Sequence, residues 1–153
     1  MTPAPSGTAI LVDLGNDLGD LAEATESLDR LLERWEVGDE VRFNFRLILE
    51  EVATNVIKYA YPDAGPHRIL LAVRPEADGA VLEVSDDGRE FDPLGAPPPD
   101  LGLPIEDRPV GGLGIHLVRK IAREVRYARI GGRNVLTVRI PWSSEEGTGQ
   151  EAP

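Results

Sequence analysis

The chain has 153 residues, no cysteine and a formal net charge of -11. That length suits one domain able to bury a core unaided, and the missing thiols exclude a disulfide framework and thiolate metal sites and fit a reducing compartment. The negative charge argues against nucleic-acid binding, and no apolar run approaches the ~20 residues that span a bilayer. His67 and His116 stand too far apart in sequence to suggest a zinc pair. MTPAPSGTAI lacks a basic start before an apolar stretch, so no secretory signal is expected and a cytoplasmic protein is.

TAILVDL (8–14) reads as a strand, followed by Asn16 and Asp17 as candidate helix caps. Leu18, Leu21, Ala22, Leu28, Leu31, Leu32 and Trp35 then recur at helical spacing. Gly38 is expected to break that helix and Asp39 to cap a second, running to Tyr61 before Pro62 and Gly65. RILLAVRP (68–75) and GAVLEVSD (79–86) predict a strand pair. Six prolines between Phe91 and Gly112 forbid regular structure there. A short helix is predicted from about Leu113 to Arg123, then a hairpin of VRYARI (125–130) and NVLTVRI (134–140) around Gly131-Gly132. Residues 1–142 are expected to form one domain and 143–153 a disordered tail. The pattern predicts an α/β chain of the α+β kind: a two-layer sandwich with a mixed, mostly antiparallel sheet and helices on one face.

Charge is uneven along this order. Residues 1–107 carry 8 basic and 23 acidic side chains, whereas 108–142 carry Arg108, Arg119, Lys120, Arg123, Arg126, Arg129, Arg133 and Arg139 against Glu124 alone. The basic run is either a solvated face or a surface for an anionic ligand or acidic partner.

Three stretches carry candidate chemistry. In EEVATNVIKYAY (50–61), Glu51 and Asn55 lie four apart and so share a helix face bordering the apolar stripe of Phe45, Ile48, Leu49, Val52, Val56 and Ala60, with Lys58 continuing their row. An unpaired polar group buried there costs roughly 2–7 kcal/mol. The pair is therefore either the edge of a solvated face or a pocket wall, in which Asn55 offers an oxygen to a cation such as Mg²⁺ and Glu51 takes a proton. In VSDDGREF (84–91), Asp86 ends a strand in phase with Leu82 and Val84. The Asp-Asp-Gly run is either a turn or a carboxylate aimed at an exocyclic amine, with Gly88 letting backbone approach a flat base. VGGLGIHLV (110–118) opens a helix with Gly112-Leu113-Gly114, either an ordinary tight turn or free N–H groups suited to a phosphate chain. Neither a Walker-type loop nor a G-x-G-x-x-G after a strand is present.

In this order, E-x-x-x-N, D-x-G and G-x-G resemble the ATP-binding family of gyrase, histidine kinases and MutL, with its Bergerat fold. EEVATN, DDGREFDP and GGLGIHLV are most similar to its small bacterial branch, the anti-sigma-factor serine kinases typified by RsbW and SpoIIAB. The likeness covers about residues 40 to 142. It departs at Glu90, where the wider family has a second glycine.

The resemblance implies that Asn55 coordinates Mg²⁺ on the phosphates of ATP, that Glu51 is the general base, and that Asp86 and Gly88 meet the adenine. It assigns Gly112, Leu113 and Gly114 to a phosphate-facing lid, Lys58 to a position near phosphate in some relatives, and Thr137 to a place near adenine. Arg108 meets phosphate, a partner or solvent. The implied activity is ATP- and Mg²⁺-dependent phosphorylation of serine or threonine on a STAS anti-anti-sigma protein. A sigma factor is the implied second partner, and relatives form homodimers. The alternative is an ATP-sensing module that sequesters a regulator without transferring phosphate.

Overall fold

A computed structural model of the chain describes residues 10–15, 18–59, 67–95 and 112–143. In order these form β1 (Ile10–Gly15), α1 (Leu18–Arg34), α2 (Asp39–Tyr59), β2 (Arg68–Glu76), β3 (Gly79–Asp86), a 3-10 turn (Pro93–Gly95), α3 (Gly112–Ile121), β4 (Glu124–Ile130) and β5 (Arg133–Pro141). The caps at Asn16 and Asp17, the helix stop from Ala60 to Pro66, the proline-rich stretch with Arg108 and the tail beyond Ser143 lie outside the described residues.

The strands form one sheet in the order β1-β2-β3-β5-β4. A mixed, mostly antiparallel sheet was expected, and among the described residues every adjacent pair is antiparallel. The physical reason is connectivity: β2–β3 and β4–β5 are hairpins, and the return through α3 and β4 lays β5 beside β3 in the opposite sense. At Gly131 and Gly132, φ is 57° and 76°. Positive φ at both centres of a two-residue loop makes the twist-matched hairpin turn that glycine tolerates without a Cβ clash.

One face of this sheet is covered by the helices. Leu21, Leu28 and Leu32 of α1 and Phe45, Ile48, Leu49 and Val52 of α2 pack in a single core with Ile69, Leu71, Leu82, Val84, Leu136 and Val138. Period 3.6 on the helices and period 2 on the strands bring these positions to one layer. Direct cross-strand partners share a face, so Val138 lies on the core side with Leu82.

The turn between α1 and α2 corrects two expectations. Gly38 does not end α1. Glu36 does, with φ of 62°, as Val37 N–H donates to Leu32 O (3.0 Å) and Glu36 N–H to Glu33 O (2.9 Å). This is the helix-ending arrangement usually built on glycine. Nor does Asp39 precede α2. It is already helical, the carbonyl of Gly38 accepts the first helical bond from Arg42 N–H (3.0 Å), and the Asp39 carboxylate pairs with Arg42 instead (3.1 Å). Arg42 also donates to Asp29 of α1 (3.2 Å) and to Val37 O (3.0 Å), which fixes the angle between the helices.

A candidate nucleotide cleft at the Asp86 end of the sheet

A cleft of about 290 Å³, counting its open mouth, lies where α2 crosses the Asp86 end of the sheet. Its walls are Val52, Asn55 and Val56 from α2, Val84 and Asp86 from β3, Phe91 and Pro93 from the segment that follows, and Tyr127, Asn134 and Leu136 from β4 and β5. Most of this lining is apolar, with a few polar groups converging on it, the usual make-up of a small-molecule site.

Asp86 and Asn55 arrive from different elements. Asp86 is the last residue of β3 and is 1% exposed. Its Oδ1 accepts from Gly88 N–H (2.8 Å) and from Asn134 Nδ2 (2.9 Å), while Oδ2 accepts from no described residue. Burial pushes its carboxyl above the usual aspartate range. The bonds from Asn134 and Gly88 and the charge of Arg133 pull the other way. Asn55 is 6% exposed, yet no described residue bonds its amide. Its amide atoms are not among the buried polar atoms left without a partner, so they open onto the cleft, where water or a ligand can meet them.

Glu51, one turn before Asn55 on α2, is half-buried and reaches the first turn of α3. A Cβ on Gly114 would collide with the Glu51 carboxylate. Glycine at 114 therefore leaves room for the Glu51 carboxylate in its present rotamer, the mobile end of a flexible side chain, rather than for a helix backbone. Gly112 and Leu113 lie in the same turn of α3, whose N-terminal amides lack intrahelical partners; the Leu113 side chain lies outside the described residues.

The structure thus brings together Glu51 and Gly114 at the α2–α3 contact, and Asn55 and Asp86 around the cleft; Gly88 is buried beside Asp86. It does not bring Thr137 to the cleft. Strand alternation puts Asn134, Leu136 and Val138 on the helix-covered face, and Thr137 on the opposite one, paired with Glu83 and Arg126. Lys58 is exposed in the last turn of α2 and is not among the lining residues.

Asn134 and Tyr127 line the cleft and were missed. Asn134 is 5% exposed and sits two residues after the Gly131-Gly132 turn, where an asparagine reads as turn composition. The available signal was its phase with Leu136, Val138 and Ile140.

The basic run also resolves in three dimensions. Arg123 pairs with Asp78, Arg126 with Glu124, and Arg139 with Glu76 and Glu124. Arg119 donates to Leu94 O and Arg129 to Gly88 O. Five of its members thus serve acids or carbonyls of the chain itself, which favours the bland reading of that charge. Among the described residues no cluster of three His, Asp or Glu side chains forms a metal cage, and no helix is long and apolar enough to cross a membrane.

Comparison with known proteins places the chain among relatives in sequence and in fold. The model of the histidine kinase-like ATPase domain matches residues 14–140. Serine/threonine-protein kinase BtrW of Bordetella bronchiseptica is 31% identical over 108 residues, spanning 71% of this chain and 75% of that kinase. Serine-protein kinase RsbW of Bacillus cereus is 26% identical over 98 residues, spanning 61% of this chain and 60% of the kinase. Among solved structures, the histidine kinase domain of a blue-light activated kinase from Erythrobacter litoralis matches with a TM-score of 0.53 at 17% identity, over 85% of this chain and 62% of that one. That last likeness is one of fold alone.

Proposed function

Because the chain belongs to the histidine kinase-like ATPase domain family, we propose that it is an ATP- and Mg²⁺-dependent serine/threonine protein kinase. The observation that carries this reading is the cleft in which a buried carboxylate and an unbonded amide, Asp86 and Asn55, face an otherwise apolar pocket. In this reading the adenine packs against Val52, Val56, Val84 and Leu136 once the cleft widens around it, and its exocyclic amine donates to Asp86 Oδ2. A base lacking that donor leaves a buried acceptor unpaired, which is strongly disfavoured.

The triphosphate then extends toward α3, whose first-turn amides suit an anion. Asn55 fits a magnesium site, since Mg²⁺ keeps most of its waters and takes few protein oxygens, and the Asn55 amide has no described partner to give up. A magnesium ion held at Asn55 would supply neutralisation of phosphate charge. Glu51 is the proposed base. The serine oxygen forms a bond to the γ-phosphorus, the bond to the bridging oxygen breaks, ADP leaves, and the hydroxyl proton passes to the Glu51 carboxylate. Positioning and charge neutralisation supply most of such an acceleration, with the base worth roughly 100- to 10,000-fold.

The names of BtrW and RsbW support phosphorylation of a protein hydroxyl. We extend the reading to a cytoplasmic partner switch, with a STAS anti-anti-sigma protein as substrate, a sigma factor as the second partner, and a homodimer as the working unit. The test is incubation with labelled ATP, Mg²⁺ and a STAS protein. Label should appear on serine with the natural chain, disappear with Glu51→Gln while ATP binding persists, and disappear together with Mg-ATP binding in Asn55→Ala. Intact ATP binding without transfer to any partner would replace the kinase by a non-catalytic ATP-sensing module.

A further inference from the structure

Asn134 makes more side-chain bonds than a turn-proximal asparagine needs. Its Nδ2 donates to Asp86 Oδ1 (2.9 Å) and to Arg89 O (2.7 Å), which uses both amide hydrogens. Its Oδ1 accepts from Tyr127 OH (2.6 Å), from Phe91 N–H (3.1 Å) and from Arg129 Nη1 (3.1 Å). An asparagine side chain offers two donors and one acceptor oxygen, so its capacity is filled.

The distribution of these bonds fixes the orientation of the amide. Three donors converge on one end, while a carboxylate and a carbonyl sit at the other. A flipped amide would aim its hydrogens at the Phe91 and Arg129 donors and its oxygen at the Asp86 carboxylate and the Arg89 carbonyl, keeping at most one bond, to the Tyr127 hydroxyl, which can also accept. Two of the donors, Tyr127 and Arg129, come from the edge strand β4, where Arg129 is the direct cross-strand partner of Asn134 and Tyr127 that of Leu136. Burial raises the Tyr127 hydroxyl above its ordinary range, which keeps it a donor. Arg129 also holds Gly88 O (2.8 Å), the residue whose N–H completes the grip on Asp86 Oδ1.

We infer that Tyr127, Arg129 and Asn134 form a positioning relay that reserves Oδ2 of Asp86 for the ligand, so that edge strand β4 takes part in reading the base. The relay rests on the adenine reading of the cleft. With Oδ1 clamped by Asn134 and Gly88, rotation of the carboxyl is blocked and one oxygen faces the pocket. Asn134 also brackets residues 89–91 through Arg89 O and Phe91 N–H, so the same amide holds the Phe91 wall. None of these three side chains acts on the reacting atoms; they act through Asp86.

The test compares binding of ATP with that of the 5′-triphosphate of unsubstituted purine riboside, which lacks only the amine, by calorimetry on the full chain with Mg²⁺. The natural chain should prefer ATP by about 10- to 100-fold, the range expected of one hydrogen bond to a charged acceptor. Asp86→Asn should abolish the preference. Asn134→Ala should erase most of it, Tyr127→Phe should reduce it about 2- to 10-fold, the range of one neutral bond, and Arg129→Gln, which removes a charged donor, at least as much. A general loss of structure lowers both affinities together and leaves their ratio alone. If Asn134→Ala does not fold, Tyr127→Phe and Arg129→Gln decide by themselves. Folded relay variants with an unchanged ratio, beside an Asp86→Asn that loses it, overturn the relay. A natural chain that does not distinguish the two triphosphates overturns the adenine reading, and the relay with it.

Discussion

Strands β3 and β5 run side by side over their whole length, and their two ends are built on opposite principles. At the Gly79–Pro141 end the sheet is closed by aromatic packing. Trp142 meets Trp35 edge-on with centroids 6.2 Å apart, lies stacked near Phe45 at 6.1 Å, and donates from Nε1 to Glu76 O (3.1 Å). The charges there, Arg139 with Glu76 and Glu124, are partly exposed and so contribute little beyond solubility. At the Asp86–Asn134 end a carboxylate is 1% exposed, its charge disfavoured by the burial that surrounds it. A pair of apolar residues would suit that end better if stability were its only task. The difference teaches where the fold keeps a buried polar network at a cost in stability, at the end to which the proposed function assigns the base.

The largest effect separating the two ends should come from the aromatic one. Phe45 is fully buried between α2 and Trp142. Phe45→Ala should lower the unfolding free energy by about 3–5 kcal/mol, read from urea midpoints at unchanged slope. The folded fraction should keep its preference for ATP over the amine-free triphosphate. A loss well under 1 kcal/mol would mean that the aromatic end does not carry the stability assigned to it.

Asp86→Asn should act in the opposite sense. The substitution keeps an Oδ1 that can accept from Gly88 and Asn134 but removes the buried charge. The folded-state pKa of Asp86 is raised, so its favourable contribution is present in full below its ordinary value of 3.8 and is lost as pH rises through the folded value above that. The melting temperature of the variant should therefore gain on that of the natural chain as pH climbs from 3.8 toward neutrality, while base preference disappears. A gap that narrows with rising pH would show that the buried charge is compensated better than its surroundings suggest.

How much of this was legible in the sequence divides along the same line. The helices and hairpins follow from local spacing, and Glu51, Asn55, Asp86, Gly112 and Gly114 could be picked out because each breaks the apolar pattern or the backbone chemistry around it. Thr137 was misplaced for want of counting. With Leu136 and Val138 facing the core, alternation sends residue 137 to the other face whatever its chemistry. Asn134 was hidden because its meaning lies in partners 7, 43 and 48 residues away, which only the β3–β5–β4 register brings together. The basic run stayed open between two readings for a related reason: acids that pair with it, Glu76 and Asp78, belong to a distant hairpin.

The smallest predicted effect lies at the end of α1, next to the aromatic cluster. Glu36 is exposed and adopts a φ of 62°, a conformation that costs a residue with a Cβ roughly 1–2 kcal/mol. Glycine relieves that strain, but its looser unfolded chain returns roughly 0.5–1 kcal/mol of the gain. Glu36→Gly should thus stabilise the protein by about 0.5–1 kcal/mol, a rise of about 2 °C in melting temperature for a chain of this size. Nucleotide affinity and base preference should not move, because Glu36 touches neither the cleft nor the strands that hold Asp86. A change in base preference from so remote a turn would couple the two ends of the sheet and dissolve the division of labour between them.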